Sequence, residues 1–179
     1  MYELFVLGEL MTGEKHGYML QDILKTAGGP FRQMSSGTLY PLLARLVDGG
    51  LIRLRQEETE GGRLRKVYAI TEAGRDRFRR LMSEPLAHDA DIEQLFHFKM
   101  VYFQYVGKET RLACMEQYLD YLRSVRSYVA NLDAQLKAFK PEPAKQRIQL
   151  LKVFEHRLHV GAADIDWIER EIERIRREE

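Results

Sequence analysis

Apolar residues along this chain recur first at the three-and-four spacing of helices, then at every second position, then at helical spacing again. From Tyr2 to Met11 the run is almost continuously apolar, with Leu4, Leu7 and Met11 on one stripe, which predicts a short helix buried on most sides. Thr12-Gly13-Glu14-Lys15 breaks it, and Leu20, Ile23, Leu24 and Ala27 then mark a second helix that Gly28-Gly29-Pro30 ends. Leu39, Leu42, Leu43 and Leu46 mark a third, stopped at Asp48-Gly49-Gly50. The period next drops to two: Ile52 and Leu54 alternate with Arg53 and Arg55, and Tyr68 and Ile70 with Val67 and Ala69. Two strands joined across Glu60-Gly61-Gly62-Arg63 read as a hairpin. Thr71, followed by Glu72, suits the N-cap of a fourth helix running toward Met82.

Helix, helix, helix, strand, strand, helix is the element order of a winged helix-turn-helix. The fold class expected is therefore mainly α with a small β-hairpin: a winged helix-turn-helix domain over residues 1–84, followed by an all-α dimerisation domain over residues 85–179. In that second half, residues 92–105 are rich in aromatics and residues 109–139 are long and amphipathic. Lys140-Pro141-Glu142-Pro143 makes a turn, and residues 144–178 form one or two helices around Gly161. Helices this long cannot all bury their apolar faces within one chain, so a second copy is expected to cover Ile148, Leu151, Leu158, Ile165, Ile168, Ile172 and Ile175 as a two-fold dimer.

Length and composition fit this reading. At 179 residues, with 45% hydrophobic and 31% charged, the chain can bury a genuine core. No apolar run approaches the roughly 20 residues that cross a bilayer. Glu3 and Glu9 stand where a signal peptide needs a basic start, so a cytoplasmic protein without a membrane partner is expected. Cys114 is the single cysteine, which rules out an intrachain disulfide and fits a reducing compartment. The formal net charge is only +1, yet between Arg53 and Arg80 nine cations face five acids, which places any polyanion-binding surface in the first half.

The third helix carries the chemistry. With its leucines inward, it turns Gly37, Pro41, Ala44 and Asp48 outward, flanked by Tyr40 and Arg45. A low-profile N-terminal end lets the backbone approach a major groove, so that Ser35, Ser36, Thr38 and Tyr40 reach phosphates and base edges. Pro41 cannot donate to the Gly37 carbonyl and its ring crowds that group; the absence of a Cβ at Gly37 eases the strain. The hairpin tip adds Arg63, Arg65 and Lys66, suited to a narrow minor groove or equally to a solvated basic loop. Arg75, Arg77, Arg79 and Arg80 read as the wet face of the fourth helix.

Other chemistry is weaker. His156 and His159 lie three apart without a third ligand at defined spacing, so no metal and no cofactor are expected. A nucleophile elbow, a phosphate-binding glycine loop and paired carboxylates are all lacking, which argues against an enzyme. The aromatics between Phe96 and Tyr105 suit core and dimer interface. With Trp167 they also suit a cavity for a flat aromatic effector, for which Phe96, Met100, Phe103 and Trp167 are the candidates.

His16-Gly17-Tyr18, the run Ser35-Ser36-Gly37-Thr38-Leu39-Tyr40-Pro41-Leu42-Leu43-Ala44-Arg45-Leu46, and Arg65-Lys66-Val67-Tyr68-Ala69-Ile70-Thr71 together resemble the PadR family of bacterial transcriptional regulators over roughly residues 2–82. The remainder, including Ala162-Ala163-Asp164-Ile165-Asp166-Trp167, is similar to the virulence-activator-like C-terminal domain of one long subfamily. The family usually carries an acid directly after the leucine of its R-L-E run, and Val47-Asp48 departs from that. The resemblance implies a homodimeric repressor, joined through its C-terminal helices, that binds a palindromic double-stranded DNA operator. Gly37, Thr38, Tyr40, Pro41 and the basic wing residues would face the DNA, and a small aromatic ligand would release it. The alternatives are an activator of the same fold and a winged-helix adaptor that binds other proteins.

Overall fold

The computed structural model describes residues 1–27, 36–58 and 64–178, apart from the side chains of Ala27 and Ser36. Its contacts group into two units, Met1–Glu84 with Glu93–Gly107, and Pro85–Ile92 with Lys108–Glu179. The sequence suggests a single division after residue 84; instead the chain leaves the first unit at Pro85 and returns to it for fifteen residues.

The first unit follows the expected order with one addition. Helix α1 (Tyr2–Met11) is followed by a two-residue strand β1 (Lys15–His16), then α2 (Gly17–Ala27), α3 (Ser36–Asp48), β2 (Ile52–Glu58), β3 (Leu64–Ile70) and α4 (Glu72–Ser83). Helix α5 (Ile92–Val101) and a 3-10 turn (Phe103–Tyr105) complete the region. The hairpin pairs in register from Ile52 opposite Ile70 to Glu58 opposite Leu64, and β1 adds to the other side of β3 through Lys15 opposite Tyr68 and His16 opposite Val67. The sheet therefore has three antiparallel strands where the sequence suggested two. Two residues are too few to display a period, so β1 exists only because β3 offers it an edge.

Helix α1 is central: Leu4, Phe5, Val6, Leu7, Gly8 and Leu10 are all buried. Gly8 is required there, because a Cβ would sit 2.4 Å from the ring of Tyr102. That ring packs edge-on to Phe5 and Phe78, and its hydroxyl donates to the Glu9 carboxylate at 2.9 Å. Burial, reinforced by Glu9, holds the Tyr102 phenol far above its ordinary pKa, so it remains a donor. Phe96 and Phe98 are buried as well, at 1% and 3% exposure.

Local signals at the helix ends act as expected. Gly50, at φ +68°, ends α3 in a left-handed turn in which Leu51 N–H donates to the Leu46 carbonyl at 2.9 Å and Gly50 N–H to Val47 at 2.9 Å. Thr71 caps α4, its Oγ1 accepting from Gly74 N–H at 3.1 Å and donating to the Gly50 carbonyl at 2.7 Å. Gly74 must be glycine, since a Cβ would lie 2.0 Å from the Leu51 carbonyl oxygen. At the far end of α4 the buried ammonium of Lys99 donates to the carbonyls of Met82, at 3.1 Å, and Glu84. A cation at a helix C-terminus meets both the unpaired carbonyls and the negative end of the dipole.

The second unit is dominated by two long helices, α6 (Lys108–Phe139) and α7 (Ala144–Arg177). Helix α7 runs unbroken through Gly161, so the segment is one helix. On α7 residues 147, 151, 154, 158, 161, 165, 168, 172 and 175 form one half-buried or buried row with alternating steps of four and three, and α6 has a matching row through residues 115, 118, 122, 125, 129, 132 and 136. This is the seam of a coiled-coil hairpin. The short connection between the two helices makes it antiparallel, and Arg176–Glu116 at 2.9 Å and Arg123–Glu169 at 2.7 Å bridge them in that sense. Ile168, Ile172 and Ile175, expected to await a second copy, are buried within this unit.

Among the described residues no helix is long and apolar enough to cross a membrane.

Candidate nucleic-acid interface

The orientation of α3 is set by its leucines. Leu39, Leu42, Leu43 and Leu46 are exposed by only 0%, 7%, 0% and 4%. Each such burial contributes about 1.5–3 kcal/mol, so no rotation that hid the opposite face would compensate for their exposure. Gly37, Thr38, Tyr40, Pro41, Ala44 and Asp48 are accordingly left on the surface. Pro41 is accommodated inside the helix, six residues from its start and on that exposed face. Ser35 and Arg63 lie outside the described residues, as do the side chain of Ser36 and the hairpin tip.

Strand β3 brings the described wing cations beside α3. Arg65 and Lys66 are exposed, and with His16, Gly17, Tyr18, Tyr40 and Leu64 they line a groove of about 490 Å³. Tyr40 lies across the start of α2, where a Cβ on Gly17 would meet its ring at 3.2 Å and the Tyr68 ring at 3.3 Å. Burial, with Tyr40 as a lesser contribution, raises the Tyr68 phenol above its ordinary pKa and keeps it neutral. Tyr18 follows β1, and its ring stacks on His16 with centroids 5.4 Å apart and planes at 11°. The Arg65 guanidinium stands 6.0 Å from the centroid of the Tyr18 ring, within cation–π range. His16-Gly17-Tyr18 carried part of the family resemblance in the sequence, but neither His16 nor Tyr18 was assigned to the DNA-facing site; the signal was Gly17 between them, whose role depends on α3 and β3 closing over it.

The charge pattern separates paired cations from unpaired ones. Arg77 donates to Glu3 at 2.7 Å and pairs with Glu84 at 3.3 Å, which holds its guanidinium charged. Arg79 pairs with Asp76 at 2.7 Å, and Arg75 sits 3.9 Å from Glu72. Arg55 pairs with Glu14 and Glu57 at 2.5 Å and 2.8 Å. Among the described residues, Arg65 and Lys66 have no carboxylate partner, and no carboxylate lines their groove. Of the basic excess counted along the sequence, Arg75, Arg77 and Arg79 of α4 are thus paired with acids, while Arg65 and Lys66 stand on β3 next to Tyr40 without a carboxylate partner among the described residues.

The candidate effector residues are divided between the two units. Phe96 is buried in the first unit, and Met100 and Phe103 are half-buried there, while Trp167 lies on α7 of the second unit, 41% exposed. Among the described residues no group of three His, Cys, Asp or Glu side chains is placed to hold a metal ion.

Residues 6–80 match the family model described as the Transcriptional regulator PadR-like family. Over 72 residues the chain is 39% identical to Transcriptional regulator Rv3488 of Mycobacterium tuberculosis, covering 40% of this chain and 64% of that protein. The chain thus spans just under two thirds of the length of that curated relative. Similar solved structures include a PadR-like transcription factor from Bacteroides fragilis, 30% identical over 45% of this chain and 76% of that one, with a TM-score of 0.41. Bacillus subtilis PadR in complex with operator DNA is 20% identical over 97% of this chain and 98% of that one, with a TM-score of 0.46.

Proposed function

Residues 6–80 belong to the PadR-like transcriptional regulators, which are not enzymes, and from that premise we propose that the chain is a cytoplasmic, homodimeric repressor that binds a near-palindromic DNA operator. The observation that carries the proposal is the groove in which exposed Tyr40 of α3 stands beside Arg65 and Lys66 of β3, with no carboxylate among the described residues that line it. The N-terminal half of α3 enters the major groove, bringing Gly37, Thr38, Tyr40 and Pro41 to the DNA together with Ser35 and Ser36. Arg65 and Lys66, with Arg63 at the wing tip, take the backbone or the adjoining minor groove.

Dimerisation belongs to the second unit. Ile148, Leu150, Val153 and Val160 of α7 are exposed by 40–52%, and Tyr128 and Phe139 of α6 by 62% and 84%. A two-fold dimer formed through this surface would carry two α3 helices, one for each half-site of the operator. A small aromatic ligand releases the operator by favouring a dimer geometry with the wrong half-site spacing. Trp167 is the sole tryptophan, so quenching of its fluorescence by phenolic acids would report that ligand.

The test is a salt titration of operator affinity by fluorescence anisotropy. Affinity should fall steeply as salt rises, and Lys66→Ala should lower the log–log slope by about 0.9 for the lost phosphate contact. A salt-independent interaction, unchanged by Lys66→Ala, would refute the proposal.

A further inference from the structure

The groove has more chemistry than α3 and the wing strand require. Tyr18 is 49% exposed and its hydroxyl has no hydrogen-bond partner among the described residues. Beneath it the His16 ring forms a stacked shelf, and His16 Nδ1 is buried without a partner among the described residues. Arg65 is held over the same ring, and the Tyr40 hydroxyl oxygen lies 3.7 Å from the point a Gly17 Cβ would occupy. Two phenol donors and two cations therefore line one recess with no acid among its described lining residues, while Leu64 and the faces of Tyr18 and His16 supply an apolar wall.

We propose that this groove is a binding site for one phosphodiester of the operator backbone, with Tyr18 as a DNA-contacting residue. The Tyr18 and Tyr40 hydroxyls donate to the non-bridging oxygens, Arg65 and Lys66 neutralise the charge, and the adjoining deoxyribose lies on the His16–Tyr18 shelf. About 490 Å³ is more than one phosphate fills, which is why a sugar is assigned to the remainder. Such a contact carries no base information: it fixes how far the duplex sits from β1 and α2, and so the register in which α3 meets the bases. Tyr18 thereby joins the start of α2 to a reading head otherwise made of α3 and β3. The assignment rests on the DNA-binding proposal above and adds to it a named atom and a single phosphate.

Tyr18→Phe removes the hydroxyl and keeps both the ring and the Arg65 contact. The experiment is a double-mutant cycle between this variant and operators carrying a neutral methylphosphonate at one backbone position at a time. Tyr18→Phe should weaken operator and non-specific DNA alike, by roughly five- to tenfold, without moving the thermal midpoint. At one phosphate in each half-site, neutralisation should weaken the wild type and leave Tyr18→Phe with a much smaller further loss. At all other phosphates the two changes should multiply. Wild-type affinity in Tyr18→Phe, or multiplication at every phosphate, overturns the groove assignment and leaves DNA binding standing. Failure of the wild type to bind any DNA overturns both.

Discussion

Helices α3 and α7 both present apolar residues at regular helical spacing, yet one completes its burial within this chain and the other does not. All four leucines of α3 are exposed by 7% or less. On α7 the buried residues Ile168, Ile172 and Ile175 crowd into the C-terminal part, while Ile148, Val153 and Val160 remain open. A helix whose apolar face is fully used leaves a polar face of fixed orientation, which is what a reading surface needs. A helix whose apolar surface is partly unused has room for a partner, and the exposed residues of α7 are where the dimer proposed above would form.

The comparison breaks most severely if the core holding α3 and α4 is emptied. Phe78 is fully buried and packs edge-on to Tyr102 and Tyr105. Phe78→Ala should cost about 3–5 kcal/mol in urea unfolding of the first unit. A loss below about 1 kcal/mol would mean that this core does not order the reading surface. Gly8→Ala, which drives a Cβ to 2.4 Å from the Tyr102 ring, should cost about 1–3 kcal/mol in the same measurement.

On the α7 side, Val160→Glu should leave helicity intact and raise the dimer dissociation constant by roughly a hundredfold in sedimentation equilibrium, because a two-fold contact would bury the charge twice. An unchanged association constant would show that this stretch of α7 faces solvent. The smallest effect sharpens the contrast further. A Cβ on Gly161 meets nothing within 4 Å, so Gly161→Ala should stabilise the isolated hairpin by about 0.5–1 kcal/mol. If a second helix approaches Gly161 closely, the same change should instead weaken the dimer, and comparing unfolding at low and high protein concentration separates the two.

Much of the first unit was legible because its signals are local. The α3 leucines, the Gly50 stop, the Thr71 cap and the hairpin register each depend on residues within a few positions of one another or on a simple period. What escaped depends on distant partners. Strand β1 has no pattern of its own, and the requirement for glycine at position 8 comes from Tyr102, ninety-four residues later. The same distance hides why Glu93–Gly107 groups with the first unit: Phe98 and Tyr102 read as generic aromatics until α1 is seen beneath them. In the candidate interface, α3 was legible as a face, but Tyr18 and His16 became part of it only when β3 was placed beside them. The arginines of α4 could be set aside for a reason the sequence suggested only in outline: Glu72 and Asp76 lie a turn away on the same helix, but Glu3, the partner of Arg77, comes from α1.

The central claim is that the exposed face of α3 and the cations of β3 together grip DNA. Footprinting against the DNA upstream of the protein's own coding region tests it most directly, using the wild type and the Arg65→Ala/Lys66→Ala double variant at low and moderate salt. The account predicts a protected dyad with half-sites one helical turn or a multiple apart, persisting for the wild type at moderate salt and lost there for the double variant. No protection by the wild type at low salt, or identical protection by both proteins at every salt concentration, would contradict it.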